Sequence, residues 1–120
     1  MSRRPHLRFD CAEGCPVEAA LAVIGGKWKG TILFHLLRDE VLRFNEIRRL
    51  LPAVSQRTLT AQLRQLQADG IISRTVLPAV PPHVEYRLTD YGQSLRAVIL
   101  ALHAWGARHQ QAGAVHEEHA

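Results

Sequence analysis

Apolar residues recur at three- and four-residue steps through most of this 120-residue chain, and the pattern gives way to another only between Gly70 and Thr89. That spacing matches the 3.6-residue turn of an α-helix and predicts a mainly helical fold. Val17, Ala20, Leu21 and Ile24 form a first apolar face, with Pro16 at the first helical position and Cys15 as its N-cap. Gly25-Gly26 stops that helix. Trp28, Ile32, Leu33, Leu36 and Leu37 mark a second, whose polar positions include Lys27, Lys29 and His35. Phe44, Ile47, Leu50 and Leu51 mark a short third helix, ended by Pro52 because the residue before proline is pushed out of helical conformation. Ser55 is placed to cap a fourth helix, with Leu59, Leu63 and Leu66 as its buried stripe and Gly70 as its stop.

Between Gly70 and Thr89 the residue types favour strands. Ile71–Val76 and Val84–Leu88 are rich in β-branched and aromatic residues, and Leu77 to His83 is a proline-stiffened loop that cannot continue a ladder. The two strands predict a hairpin. Thr89 then caps a last helix expected from about Asp90 to about Gln110. The expected organisation is a loose arm over 1–14, one domain over 15–112 and a frayed tail over 113–120. A short helix, a tight turn, a serine-capped helix and a hairpin in that order describe a winged helix-turn-helix. The fold class is therefore mainly α with a small β-hairpin, its N- and C-terminal helices forming a dimer interface.

Charge narrows the function. Residues 43–74 carry Arg43, Arg48, Arg49, Arg57, Arg64 and Arg74 against Glu46 and Asp69, which accounts for the whole net charge of +4. A local basic patch on an otherwise balanced chain suits a phosphate backbone better than a membrane surface. Turning Leu59, Leu63 and Leu66 inward at about 100° per residue turns Arg57, Ala61, Arg64 and Ala68 outward. Thr58, Thr60 and Gln65 flank that face. Arginines beside small residues fit a DNA groove, where they bond guanine edges or phosphates while the backbone comes close.

Other classes fit poorly. No apolar run approaches the roughly 20 residues of a membrane span, and the N-terminus lacks a secretory core, so a cytoplasmic protein is expected. The histidines, cysteines and acids are scattered, with no phosphate loop, nucleophile elbow or acid-base pair, so no enzyme and no cofactor is expected. Cys11, Cys15 and His6 match no standard zinc spacing, and no metal site is assigned. The chain also lacks the interleaved aromatics of a single-strand stacking platform.

The runs Cys15-Pro16-Val17-Glu18, Gly25-Gly26-Lys27-Trp28, Arg43-Phe44-Asn45-Glu46-Ile47, Ser55-Gln56-Arg57-Thr58-Leu59 and Val84-Glu85-Tyr86-Arg87-Leu88-Thr89 together resemble the HxlR-type regulators over about residues 11–110. The resemblance implies a winged-helix fold related to the MarR group and dimeric binding to double-stranded DNA at an operator with two half-sites. It places the start of the recognition helix at Ser55 to Arg64 and the wing at 74–87. Candidate DNA contacts are then Arg48 and Arg49, Ser55, Gln56, Arg57, Thr58, Thr60, Ala61 and Arg64, with Arg74, His83 and Arg87 on the wing. Two features depart from the family pattern. Gly30 lies inside the second helix, where glycine costs about 1 kcal/mol relative to alanine. Asp39-Glu40-Val41-Leu42 lacks the usual glycine at the turn before Arg43-Phe44.

Leu95, Val98, Ile99, Leu102 and Trp105 give the last helix an apolar stripe that continues beyond the length one small domain needs. With Val17, Leu21 and Ile24 of the first helix, these are the candidate dimerisation residues. Cys15 sits at a helix N-terminus, where the dipole favours the thiolate that oxidants and electrophiles attack. In the resembled family such a cysteine before proline senses oxidants or quinones in several members, which makes Cys15 the candidate sensor and Cys11 its candidate resolving thiol. A ligand- or metal-responsive regulator without cysteine chemistry is the alternative.

Overall fold

The computed structural model describes residues 14–119. Its elements run α1 (Pro16–Ile24), α2 (Lys29–Asp39), β1 (Val41–Arg43), α3 (Phe44–Leu50), α4 (Gln56–Ala68), β2 (Ile72–Leu77), β3 (His83–Leu88), α5 (Asp90–Gln93) and α6 (Arg96–His119). The helical periods translate directly into burial. Ile32, Leu33 and Leu36 of α2 meet Ile47 of α3, Leu59, Leu63 and Leu66 of α4 and Ile72 of β2 in one core. Each is a fully buried branched side chain, worth about 1.5–3 kcal/mol of transfer free energy.

Local signals set the boundaries. Pro16 opens α1, and Gly25 closes it by donating its backbone N–H to the Leu21 carbonyl. The Ser55 hydroxyl accepts the Thr58 N–H at 3.1 Å and so begins α4. Gly70 ends α4 at φ +75°, a left-handed conformation that costs glycine nothing.

Three differences from the sequence reading matter. The expected hairpin is the edge of a three-stranded antiparallel sheet of order β1-β3-β2, because the segment read as a turn holds the strand Val41–Arg43. Its three residues are too few for a pattern of their own, and pairing of Leu42 with Tyr86 supplies the missing partner. The turn that admits this strand puts Glu40 at φ 66° and ψ −54°, close to the strained γ-turn that few non-glycine residues adopt.

The single last helix is also two. Thr89 caps α5 by accepting the Gly92 N–H at 2.9 Å, and its hydroxyl donates to the Gly70 carbonyl at 2.6 Å. Gly92 is pressed against the Ile71 carbonyl, where a Cβ would collide with backbone. The chain then tightens through i−3 bonds from Ser94 and Leu95, and α6 begins at Arg96. Finally, α6 reaches His119 instead of ending near Gln110. At 24 residues it is about 36 Å long.

Candidate nucleic-acid interface

The leucine seam of α4 decides which side of that helix is available. With Leu59, Leu63 and Leu66 at 1% exposure or less, Gln56, Arg57, Ala61 and Arg64 lie at the surface. Together with Thr60 these residues line one shallow depression. Ser55 and Thr58 serve α4 itself, since their hydroxyls are 3.0 Å apart and hydrogen-bonded. Ser55 is nonetheless exposed, and Thr58 is half-buried.

Beside this face is a larger cleft of about 1010 Å³, walled by α3, α4 and the β2–β3 hairpin. Arg43, Arg49, Arg64 and Arg74 line it with Asn45, Gln67 and His83, over an apolar floor that includes Phe44 and Val84. The only acid among the lining residues is Glu46, and its carboxylate accepts the Arg43 backbone N–H at 2.7 Å. The two ion pairs among the described residues, Arg38–Asp39 and Arg87–Glu85, involve none of these four arginines. Four guanidinium groups without carboxylate partners keep the cleft positive, which is the electrostatic requirement for holding a phosphate backbone.

The predicted wing residues separate. Arg74 pairs in register with Tyr86, and Ser73 with Arg87. Because strand side chains alternate between faces, Arg74 shares the face of buried Tyr86, whereas Arg87 points the other way. Arg87 bonds Glu85 at 3.4 Å and does not line the cleft. Arg48 is exposed on α3 but also lies outside the cleft, while Arg49 lines it. Arg43, Asn45 and Gln67 were not predicted as contacts. In the sequence Arg43 belongs to the basic segment and opens one of the family-like runs, but its place at the β1–α3 junction comes from tertiary pairing.

The other candidates divide by burial. Ile24 and Ile99 are 7% and 3% exposed and belong to the chain's own core, with Leu95 packed against it. This removes Ile24 and Ile99 from the surface offered to a second copy. Val17, Leu21, Val98, Leu102 and Trp105 are between 41% and 62% exposed, and Leu100, not predicted, joins them. Cys15 is buried. Cys11 and His6 lie outside the described residues.

A helix with its apolar seam inward, its arginine side outward and a basic cleft against a hairpin is the arrangement of a winged helix-turn-helix. Residues 23–114 match the HxlR-like helix-turn-helix family. The chain belongs to this family. HxlR-like relatives include the uncharacterized HTH-type transcriptional regulator YdeP of Bacillus subtilis (strain 168), 54% identical over 101 residues that cover 84% of this chain and 78% of YdeP. Among solved structures, the redox regulator HypR in its oxidized form is 52% identical, with a TM-score of 0.75 over 78% of this chain and 96% of HypR. A protein described as of the MarR family from Porphyromonas gingivalis W83 is 32% identical, with a TM-score of 0.74 over 80% and 93% of the two chains. Membership makes this HxlR-like chain a helix-turn-helix transcriptional regulator and not an enzyme. Among its described residues no helix is long and apolar enough to cross a membrane.

Proposed function

We propose that this chain is a cytoplasmic, sequence-specific regulator that binds double-stranded DNA as a homodimer through α4. The observation that carries the reading is the two-sided character of α4, whose leucine side is sealed in the core while Arg57, Ala61 and Arg64 share one open depression. In the major groove these residues face base edges, and the cleft against the hairpin receives the neighbouring backbone. The homodimer is supported by Val98, Leu102 and Trp105, which lie on one side of α6 at helical spacing and are all exposed. A second copy that covers them brings two recognition helices about one turn of DNA apart, roughly 34 Å, as an operator with two half-sites requires.

Regulation is assigned to the thiol of Cys15. Cys15 stands immediately before the first residue of α1, and the 52% identity to a redox regulator supports thiol chemistry here. Burial of Cys15 at 5% exposure means that oxidation disturbs the packing at the start of α1, and α1 carries part of the exposed apolar surface through Val17 and Leu21.

A genomic binding map of the purified protein, with and without a thiol oxidant, tests both parts. Specific peaks that change on oxidation support them, and binding unaffected by oxidant, or an oxidant response that persists in Cys15→Ser, removes the sensor. On a selected operator, Arg57→Ala is expected to lose about 1–3 kcal/mol of discrimination between sequences. Arg49→Ala lowers affinity for all sequences alike and reduces the salt dependence. Equal effects of both changes on every sequence contradict the groove-facing assignment.

A further inference from the structure

Glu46 is the one acid among the residues that line the arginine cleft. Along the α3 wall of that cleft the order is Arg43, the N-cap of the helix, then Glu46 in its first turn, then Arg49 in its last. Side chains three apart on a helix are neighbours, about 5–6 Å between Cβ atoms, and an acid so placed can pair with a base. Glu46 pairs with neither arginine, because the two ion pairs among the described residues lie elsewhere. Its carboxylate accepts the Arg43 backbone N–H at 2.7 Å instead. The side chain is half-buried, and this bond holds the charge in place.

The cap needs an oxygen, not a charge. Glutamine closes the same reciprocal box at this position, and the helix dipole adds only a small preference for an acid. A fixed negative charge among four arginines repels any phosphate that comes close to it. Such a group lowers attraction, but it separates one seating of a duplex from another. A duplex whose phosphates meet Arg49, Arg64 and Arg74 clear of Glu46 escapes the repulsion. A shifted duplex brings a phosphate against the carboxylate and is penalised. Discrimination by repulsion works only where the repelling group cannot swing away, and the Arg43 N–H supplies that restraint.

We propose that Glu46 is a specificity-determining residue, a fixed carboxylate that keeps the DNA backbone off the α3 lip of the cleft and penalises every register but the cognate one. The inference rests on the DNA-binding reading above and adds an element of rejection to the attraction of the arginines. It also gives the negative charge of Glu46 a purpose that capping does not require.

The test is anisotropy titration of two fluorescein-labelled duplexes, one selected by wild type and one of random sequence, across salt concentrations. Melting curves follow the cap. Glu46→Gln keeps an oxygen for the Arg43 N–H and removes the charge. It is expected to tighten random-sequence binding about five- to tenfold near 0.1 M salt, and the selected duplex by about twofold or less. The salt slope on the random duplex steepens by up to about 0.9 as a further phosphate is accepted. Glu46→Asp keeps the charge and is expected to retain the wild-type ratio between the duplexes, even if its shorter side chain caps less well. Affinities and slopes unchanged in Glu46→Gln overturn the proposal, and Glu46 is then a cap alone. An equal gain on both duplexes overturns it too, since the carboxylate then lowers affinity without discriminating. If wild type binds both duplexes without salt dependence, the DNA-binding reading itself fails. If wild type shows a steep slope and Glu46→Gln leaves the ratio unaltered, only the role of Glu46 fails.

Discussion

Arg74 stands directly opposite Tyr86 in the β2–β3 ladder, so its guanidinium lies on the sheet face that closes the cleft. One residue of register separates it from the Ser73–Arg87 pair, whose side chains take the other face. Arg74→Ala is therefore expected to lower affinity for every duplex and reduce the salt slope by about 0.9, the loss of one phosphate contact. Arg87→Ala is expected to leave both unchanged. Anisotropy titrations at several salt concentrations separate the two, and matching losses mean that the cleft does not define the DNA path.

The terminal helix allows an equally sharp contrast. Leu102 is 52% exposed and Ile99 only 3%. Leu102→Asp should keep the fold and give monomers in sedimentation velocity, with operator binding much weakened. Ile99→Asp buries an unpaired carboxylate in the chain's own core and should lower stability by several kcal/mol or prevent folding. A Leu102→Asp protein that still sediments as a dimer places the interface elsewhere.

Glu40 holds a conformation that costs a non-glycine residue about 1–3 kcal/mol. Glu40→Gly relieves that strain against a smaller entropic cost, and the expected net gain is about 1 kcal/mol. Urea unfolding measures it directly. A loss of stability on this change means that Glu40 makes a contribution outweighing its backbone strain.

His35 should make stability depend on pH. Burial is the main cause holding its imidazole below the usual value, Arg38 adds to the effect and Asp39 opposes it. Its Nδ1 is buried without a partner. The unfolded chain therefore binds this proton at higher pH than the folded one, and stability rises with pH across that window. It is full above the unfolded value of 6.5 and falls as pH drops below it, until the folded imidazole also protonates. His35→Phe should flatten that part of the profile in urea unfolding followed across pH, and an unaltered slope assigns the titration to another group.

Much of this fold is written in local signals. Each helix of the helix-turn-helix has its apolar stripe at helical spacing, and Ser55, Gly25 and Gly70 each act through their own backbone or the next turn. The outward side of α4 follows from the same period, because sealing three leucines leaves only one side for Arg57, Ala61 and Arg64. Properties that depend on neighbours four residues away or fewer are legible in a single sequence.

Tertiary structure decided whatever depends on residues distant in the chain. The strand Val41–Arg43 exists because β3 pairs with it, and α5 is seated where Gly92 meets the Ile71 carbonyl, just before the break at Ser94 and Leu95. Register alone divides Arg74 from Arg87, and the packing of α6 against α2 puts Ile99 in the core while Leu102 stays outside. Lys29 looked like any polar position of α2 until α4 and Gly26 closed around it. Periodicity tells which side of a helix is apolar, but only packing determines how far along that side the chain's own core extends and which charges it traps.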